Sequence, residues 1–510
     1  MSRFTPLAVG LALPFSLATQ AAWADLTPQD VWGDWRNYLE GMGYEITATE
    51  TVSGDDLTVS DLRFSFSMPE TDGVMSLSLE TLGFVQNRDG SVAIVMPDDM
   101  PMTMTGTDEA GSGEPFTLTL NFSQTGHAIT ASGDPDAMTY LYTAEQFAMD
   151  MTQMQVGDKE MSGTDARINV TGTNLNSTTT MTVGEMRSYD QSGSISAVAF
   201  DVFVNDPEGE NAQGAIKGAM NGLTFTGQGE MPREMAKDAD MATLLSSGFD
   251  MAGTLGYASG SSEFDIKDPE NGNYVMTTTS QGGDFGFKMG PDGLLYDVAQ
   301  RDLNVNVTAE MMPLPFEIKM AESGFKLAMP VSKSDEEQDF SFGLKMADFT
   351  MSDFIWSMFD PSAQLPRDPA TVVLDLTGKA KLLVDWMNPE ATAALTGAPG
   401  EVKQVSLGTL LVDAAGAKLE GAGDVTFDGA AGGLVPGAGN PVGDVNLALS
   451  GGNALLDKLV AIGLLPQDQA MGARMMMGLF AVPGDAPDTL KSKIEFTPDG
   501  QVLANGQRLR

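Results

Sequence analysis

The feature that most constrains this chain is the alternation of apolar and polar residues that recurs along most of its length. Clear examples are Leu62-Arg-Phe-Ser-Phe-Ser-Met68, Phe116-Thr-Leu-Thr-Leu-Asn-Phe122 and Phe340-Ser-Phe-Gly-Leu-Lys-Met346. A period of two marks strands with one apolar face and one polar face. Because no regularly spaced helices intervene, the strands should pair antiparallel. The sequence therefore predicts a mainly β fold of elongated, twisted antiparallel sheets with short amphipathic helices.

Residues 1–24 are predicted to form a signal peptide. Arg3 precedes an apolar run from Leu7 to Leu17, and Ala22-Trp23-Ala24 is a small-residue cleavage site. The run is too short to span a bilayer, and no later segment has the length and hydropathy to do so. We expect cleavage before Asp25 and periplasmic localisation, with secretion as the alternative.

Residues 25–44 are predicted to form an N-terminal amphipathic helix. Thr27 supplies the N-cap and Asp30 an acidic side chain at the third helical position. Trp32 and Trp35 fall on one face at helical spacing. We expect both tryptophans to pack on the protein's own sheet rather than on a membrane.

The remaining chain divides into predicted β regions joined by short helical segments. The expected division is a first antiparallel β region at 45–231, a helical connection at 232–260, a second antiparallel β region at 261–400 and a C-terminal β region at 401–510. Helical spacing of apolar residues also predicts helices at 139–154, 232–245 and 351–359.

The C-terminal region is predicted to carry a helical hairpin at 453–482, followed by a terminal β-hairpin. Asn453 is the expected N-cap of the first helix, and Pro466 separates the two helices. We expect the hairpin to cover the end of a sheet and to bury Leu455, Leu459, Val460, Met475 and Leu479 against strands. An exposed apolar stripe would instead indicate a docking or membrane-contact face.

Charge and cysteine content exclude several classes of function. Against 70 acidic residues the chain has 28 lysines and arginines, and its formal net charge is −42. Such a surface repels nucleic acid, which excludes binding through a basic patch. The sequence contains no cysteine, so disulfides, thiolate nucleophiles, zinc fingers and iron–sulfur clusters are excluded together.

No motif predicts a catalytic residue or a cofactor. His127 is the single histidine and is expected to be an exposed polar residue beside a turn. Adjacent carboxylates are too frequent in this acidic chain to indicate a glycosidase. The segment from Asp268 to Asn273 is rich in oxygen ligands but lacks EF-hand spacing, so it is expected to be a turn rather than a calcium site.

Methionine is unusually frequent, with 34 residues. Met100, Met102 and Met104 would share one strand face, and a second cluster contains Met149, Met151 and Met154. Thioethers can bind Cu(I), but core filling is the favoured interpretation. Adaptable methionines also suit an apolar groove that accepts acyl chains.

Several motifs resemble an uncharacterised alphaproteobacterial family, domain of unknown function 2125. They are Trp356-x-x-x-Asp360-Pro361, Leu365-Pro-Arg-Asp-Pro-Ala370, Gly421-x-Gly423-Asp-Val-Thr-Phe-Asp428, Leu455-Leu-x-x-Leu-x-x-x-Gly463-Leu-Leu-Pro466 and Asp499-Gly-x-Val-x-x-Asn-Gly506. The strand pattern also resembles that of AsmA-type envelope proteins. That resemblance implies long curved antiparallel sheets and a groove for lipid acyl chains, and it supplies no catalytic residue.

These observations predict an exported cell-envelope protein without enzymatic activity that binds lipid or another apolar ligand in a β-sheet groove. The alternatives are a structural or protein-interaction module of the periplasm and an enzyme of unrecognised type. The candidate structural or contact residues are Trp32, Trp35, Trp356, Leu455, Leu459, Val460, Met475 and Leu479. Lipid or an envelope protein is the expected partner, and no nucleic-acid partner is expected.

Overall fold

The computed structural model describes residues 26–68, 73–107, 113–161, 163–205, 212–233, 240–270, 272–428 and 437–509. The predicted signal peptide lies outside these residues. The described part of the chain contains six helices, which are α1 (Pro28–Gly41), α2 (Met241–Ser246), α3 (Asp353–Phe359), α4 (Pro389–Ala393), α5 (Gly452–Ala461) and α6 (Gln467–Phe480).

Strands make up most of the described chain, as the alternation predicts. The first twelve are β1 (Glu45–Ser53), β2 (Asp56–Met68), β3 (Gly73–Gln86), β4 (Val92–Val95), β5 (Asp99–Thr107), β6 (Pro115–Thr125), β7 (Ala128–Asp134), β8 (Ala137–Val156), β9 (Lys159–Met161), β10 (Ala166–Val183), β11 (Met186–Asn205) and β12 (Gln213–Pro232). The next eight are β13 (Asp250–Tyr257), β14 (Ser259–Lys267), β15 (Tyr274–Ser280), β16 (Gly283–Gly290), β17 (Gly293–Ala309), β18 (Phe316–Met329), β19 (Gln338–Met351) and β20 (Ala370–Leu382). The last seven are β21 (Gly400–Ala414), β22 (Ala417–Asp428), β23 (Asn440–Ser450), β24 (Val482–Pro483), β25 (Thr489–Phe496), β26 (Val502–Ala504) and β27 (Gln507–Arg508).

All these strands belong to one antiparallel sheet, so the predicted fold class is confirmed. Strands pair largely in chain order, from β1 and β2 at one end to β25 and β26 at the other. In places, two shorter strands pair with the two halves of one long strand, as β13 and β14 do with β12. The predicted terminal β-hairpin is formed by β25 and β26.

Residues with a left-handed backbone interrupt several strands at equivalent places. Asp302 in β17 has φ of 47° and Asp348 in β19 has φ of 51°. By register, both lie opposite Ala321 of β18. The regular pairing is interrupted there, with β17 on one side of β18 and with β19 on the other. In β17 the apolar positions change from even to odd numbers across Asp302. Because a shift of one residue reverses the faces of a strand, this change keeps the apolar side chains on one face.

The buried core is concentrated at the N-terminal end of the sheet. It comprises Leu26, Val31, Trp32, Leu57, Val59, Leu62, Leu79, Leu82, Phe84, Val92, Ile94, Met100, Ala131, Met138 and Tyr140. Among the described residues after 260, the buried hydrophobic side chains are Val331, Leu365, Leu382 and four alanines. Much of the second half is therefore a single sheet layer whose apolar side chains are half-buried by their neighbours.

The prediction of a helix at 139–154 is wrong, because these residues lie in strand β8. Met138, Tyr140 and Ala144 are buried on one face at a period of two. Pairing with β6, β7 and β10 on both sides satisfies the backbone of this strand. The helical spacing of Leu141, Phe147 and Met151 is coincidental, since long-range pairing outweighs local propensity.

The predicted helical segment at 232–245 is also longer than the described one. Strand β12 continues to Pro232, and helix α2 begins only at Met241 with Asp240 as its N-cap. Within the predicted connection at 232–260, β13 continues the sheet by pairing with β12. The predicted helix at 351–359 is confirmed as α3, which begins at Asp353.

Candidate functional site: an apolar pocket between helix α1 and the sheet

Helix α1 begins as the sequence predicts. Thr27 and Asp30 form a capping box, in which the Asp30 amide donates to the Thr27 side chain and the Thr27 amide donates to Asp30. Val31 and Trp32 are buried against the sheet. The Trp32 indole also donates to Glu50 Oε1 of β1 at 2.8 Å, so the helix is fixed to the edge strand.

Both predicted tryptophans of α1 pack on the sheet. The ring of Trp32 lies 6.0 Å from Phe84, and that of Trp35 lies 5.9 Å from Phe84 and 6.1 Å from Tyr140. Aromatic pairs at these separations contribute favourable contacts beyond area burial. Burial raises the pKa of Tyr140, and the nearby charge of Asp34 raises it further, so its phenol is neutral.

An apolar pocket of about 310 Å³ lies between the C-terminal half of α1 and strands β2, β3 and β5. Helix α1 and the segment after it contribute Trp35, Leu39 and Tyr44. The sheet side of the pocket is lined by Phe64, Met75, Ser76, Leu77, Leu79, Leu82, Met96 and Met102. The lining contains no charged side chain, which is the chemistry of a site for an apolar ligand.

Three of the pocket residues are methionines from different strands or loops. Met102 belongs to the predicted Met100–Met104 strand face, whereas Met75 and Met96 come from elsewhere. Flexible thioether side chains adapt to irregular apolar surfaces. These three residues therefore give the pocket walls that can adjust to differently shaped chains.

His127 supports one wall of this pocket rather than lying exposed. Its side chain is 12% exposed, and Nε2 lies 3.2 Å from the Met96 carbonyl oxygen. Its Nδ1 lies 3.6 Å from Asp98 Oδ1. The prediction that this histidine is exposed is wrong, because its ring contacts Met96 and Asp98 of the preceding segment.

A row of half-buried apolar side chains leads away from the pocket across the sheet. Consecutive members oppose each other on adjacent strands or stand two positions apart on one strand. The row runs through Phe64, Leu77, Met102, Leu120, Phe122, Met149, Val170, Phe200, Val202, Ile216, Phe264, Met276, Val307 and Phe316. From Phe122 onward no member of this row is buried, so a continuous apolar strip remains accessible on one face.

Helix α1 is held over the sheet by a buried ion pair on its other side. Arg187 of β11 donates through Nη1 and Nη2 to the two carboxylate oxygens of Asp34, at 2.7 and 2.5 Å. Both side chains are 8% exposed, and the guanidinium lies 4.6 Å from the centre of the Tyr38 ring. This bidentate pair fixes the helix relative to β11, and neither of its residues lines the apolar pocket.

The other predicted contact residues lie far along the chain from the pocket. Trp356 lies on α3, half-buried, with its ring 5.2 Å from Phe359 and the Arg367 guanidinium 5.7 Å away. Leu455, Leu459 and Val460 on α5 are half-buried. The structure does not bring this group together with Trp32 and Trp35 in one pocket.

The prediction that Met475 and Leu479 are buried is wrong. Met475 is 73% exposed and Leu479 is 48% exposed. Helix α6 turns these residues outward, because its buried side is formed by small Ala470. The predicted cap residue Asn453 also lies one residue inside α5, where its amide donates to Asp488, and Gly451 is the N-cap.

The residues that sequence reasoning missed are Met75, Met96, Phe64 and Tyr44. Met75 and Phe64 lie at alternating positions of predicted strands, which signals an inward face but not which element covers it. The segment from Asp268 is a turn, as predicted, with the Glu270 amide donating to Asp268 Oδ1. Among the described residues, no group of three or more histidine and carboxylate side chains could hold a metal ion.

Comparison with known proteins finds a match between the C-terminal part of the chain and one bacterial family model. Residues 265–509 match the family described as "Uncharacterized protein conserved in bacteria (DUF2125)", which confirms the predicted resemblance to that family over strands β15 to β27. No curated protein and no solved structure matches the chain. Within the part of the chain that the structure describes, no helix has both the length and the apolar character of a membrane span.

Proposed function

We propose that the protein is an exported, non-enzymatic binder of an acyl chain or a similar apolar chain. The acyl chain of the ligand enters the pocket between α1 and the sheet. The apolar strip then extends the binding site across the sheet face. The observation that carries this proposal is the pocket itself, which is about 310 Å³ and lined by apolar side chains, with Ser76 as its one aliphatic polar residue.

The pocket has the properties that chain binding requires. Its volume lies at the lower end of the range typical of small-molecule sites, about 300–1,000 Å³. Transfer of each methylene group from water into such a pocket contributes about 0.8 kcal/mol. Binding strength should therefore increase with chain length until the pocket and the adjoining strip are filled.

The half-buried strip supports a ligand longer than the pocket. Soluble proteins rarely leave large contiguous apolar patches accessible, and those that do commonly use them for binding. Here the strip continues directly from the pocket residues Phe64, Leu77 and Met102. In this proposal, the pocket and the strip together serve as the ligand groove.

The first test is direct identification of a bound ligand. The full chain is expressed with its own N-terminal sequence in a bacterial host, purified without detergent and extracted with organic solvent for mass spectrometry. We expect an amphiphile with an alkyl chain in about one copy per protein. A protein that carries none and also fails to bind decanol in calorimetry would overturn the proposal.

A variant that fills the pocket separates specific from nonspecific binding. Met102→Trp places a larger side chain in the pocket and should weaken decanol binding at least tenfold. Met475→Trp is the matched control, because Met475 is exposed on α6 and does not line the pocket. Equal affinities of the two variants would show that decanol binds somewhere other than this pocket.

A protein-interaction module is the second candidate, and helix α6 favours it. Met471, Met475, Met476 and Leu479 of this helix are between 48% and 73% exposed. A photo-crosslinking residue at position 475 should then capture one defined partner protein in cells, and Met475→Asp should abolish that partner's copurification. Unchanged decanol binding in Met475→Asp would show that the two functions are separate.

A further inference from the structure

A second cavity of about 310 Å³ lies beside α1, against a different set of helix residues from those that line the apolar pocket. Asp34, Asn37 and Tyr38 line it from the helix, and Arg187 and Arg233 line it from the sheet. The chain after α1 connects the two cavities, since Met42 lines this one and Tyr44 lines the apolar pocket. Both cavities therefore reach the segment at 42–44, which follows helix α1.

The lining of the second cavity is rich in hydrogen-bond donors. The Arg187 side chain is more than nine-tenths buried, and its Nε has no hydrogen-bond partner among the described residues. The side-chain amide of Asn37 and the hydroxyl of Tyr38 likewise make no hydrogen bond to another described residue. Burial raises the pKa of Tyr38, so its hydroxyl keeps the proton that it can donate.

The balance of charge in this cavity is opposite to that of the chain. Two arginines face one aspartate, and Asp34 is already bound by Arg187 through both carboxylate oxygens. Arg233 is exposed and has no acidic partner among the described residues, although the chain as a whole has a net charge of −42. The exposed guanidinium of Arg233 beside the side chains of Asn37 and Tyr38 is suited to an oxyanion.

Local packing holds Arg233 at the end of helix α1. A Cβ atom at Gly41 would lie 3.3 Å from the carbonyl oxygen of Arg233, so the helix end and this residue are in close contact. The last carbonyl groups of α1 accept hydrogen bonds from the amides of Met42, Gly43 and Tyr44. Because these carbonyl groups already accept hydrogen bonds, they neutralise the positive charge of Arg233 less than unpaired carbonyl groups would.

We propose that the second cavity binds the oxyanion head group, a carboxylate or phosphate, of the amphiphile whose chain occupies the apolar pocket. The inference rests on the proposed function and names its ligand class. Arg233 contacts the head group directly, and the guanidinium of Arg187, held in place by Asp34, adds positive charge to the cavity lining. Asn37 and Tyr38 complete the set of donors.

The test compares two probes that share a chain and differ in the head group. Decanoate and decanol are titrated by calorimetry into the full-length wild type, Arg233→Ala and Arg88→Ala. Arg88 is the matched control, because it is exposed and has no ion pair among the described residues. We expect Arg233→Ala to weaken decanoate binding about tenfold, the range of a charged hydrogen bond, and to leave decanol binding unchanged.

Inorganic phosphate, as a third probe, separates a lipid head group from a free anion. We expect phosphate to bind far more weakly than decanoate, because it lacks the chain. Phosphate binding that depends on Arg233 and equals the affinity of decanoate would overturn the inference and assign the cavity to a free oxyanion.

The remaining outcomes distinguish this inference from the proposed function. If the wild type binds decanol while decanoate binding is the same in wild type and Arg233→Ala, only the head-group inference fails. If the wild type binds neither chain, the proposed function fails and the inference fails with it. A loss of decanoate binding in Arg88→Ala equal to that in Arg233→Ala would show a general charge effect and would also overturn the inference.

Discussion

Arg187 on β11 and Asp34 on α1, which lie 153 residues apart in the sequence, form a buried bidentate ion pair with distances of 2.7 and 2.5 Å. Both residues line the second of the two cavities beside α1. The pair also joins the N-terminal helix to a strand beyond the well-packed end of the sheet. Its geometry therefore bears on both stability and ligand binding.

Removing one partner of this pair should be costly. Arg187→Met leaves the Asp34 carboxylate buried without its donors, and the free energy of unfolding should fall by about 3–5 kcal/mol. Urea denaturation followed by tryptophan fluorescence measures the change. Arg167→Met is the matched control, because Arg167 pairs with Asp201 at the surface and should cost about 1 kcal/mol or less. Equal losses would contradict the assignment of Arg187 as the buried tether.

The substitutions that position 302 tolerates should depend on the backbone conformation there rather than on the side chain of Asp302. Its φ of 47° is unfavourable for a β-branched residue, so Asp302→Val should reduce the free energy of unfolding by about 1–3 kcal/mol. Asp302→Gly should be neutral or stabilising, because glycine adopts this conformation freely. Thr308→Val on the same strand, at an exposed site, is the control and should change little. A tolerated Asp302→Val would argue against a kink at this position.

Exposed residues of α6 should contribute little to stability. Replacing Met475 and Leu479 together by serine should change the free energy of unfolding by less than about 0.5 kcal/mol per residue. Leu82→Ala, in the core at 1% exposure, should cost about 2–5 kcal/mol. Urea denaturation of the two variants gives the comparison. A large loss in the serine variant would mean that α6 packs against another part of the chain.

Asp360 should make stability depend on pH in the acid range. Burial tends to raise the pKa of its carboxyl group, but hydrogen bonds from the Gln364 and Leu365 amides and the charge of Arg367 lower the pKa below the ordinary value of 3.8. A lowered folded pKa means that the carboxylate stabilises the fold above about pH 3.8 and that this contribution is lost as pH falls through the folded pKa.

The matching measurement uses Asp360→Asn, with Asp335→Asn as an exposed control. The stability difference between wild type and Asp360→Asn should be largest near neutral pH and should shrink below about pH 3.8. Urea denaturation of both proteins at a series of acidic pH values measures this difference. A difference that stays constant down to pH 2 would show that the carboxylate charge is not what holds the 364–365 loop.

Local patterns account for most of the secondary structure. Alternation at Phe116–Phe122 and Phe340–Met346 predicts strands, and Thr27 with Asp30 predicts the start of α1. The segment at 139–154 misled because its apolar residues also fit a helical face, and only pairing with distant strands decides between the two structures. Local spacing does not contain that information.

The candidate site depends on contacts between distant residues, so sequence reasoning reached only part of it. Trp35 and Met102 were recognised separately, as a helix face and a methionine-rich strand. Their meeting in one pocket depends on where α1 lies on the sheet, which the Arg187–Asp34 pair helps to fix. A shift of apolar positions from even to odd at Asp302 is visible in the sequence and could have predicted the kink there.

The nearly sequential pairing of the strands has a consequence for how such a chain can change in length. Each hairpin contacts mainly its immediate neighbours, as β17, β18 and β19 do. In an array of this kind, stability is approximately a sum of local units and neighbour interfaces. Hairpins can therefore be gained or lost in the middle of the sheet while the pocket at one end and the helices at the other keep their own packing. Length, and with it the reach of the apolar strip, becomes a property that can vary independently of the binding end.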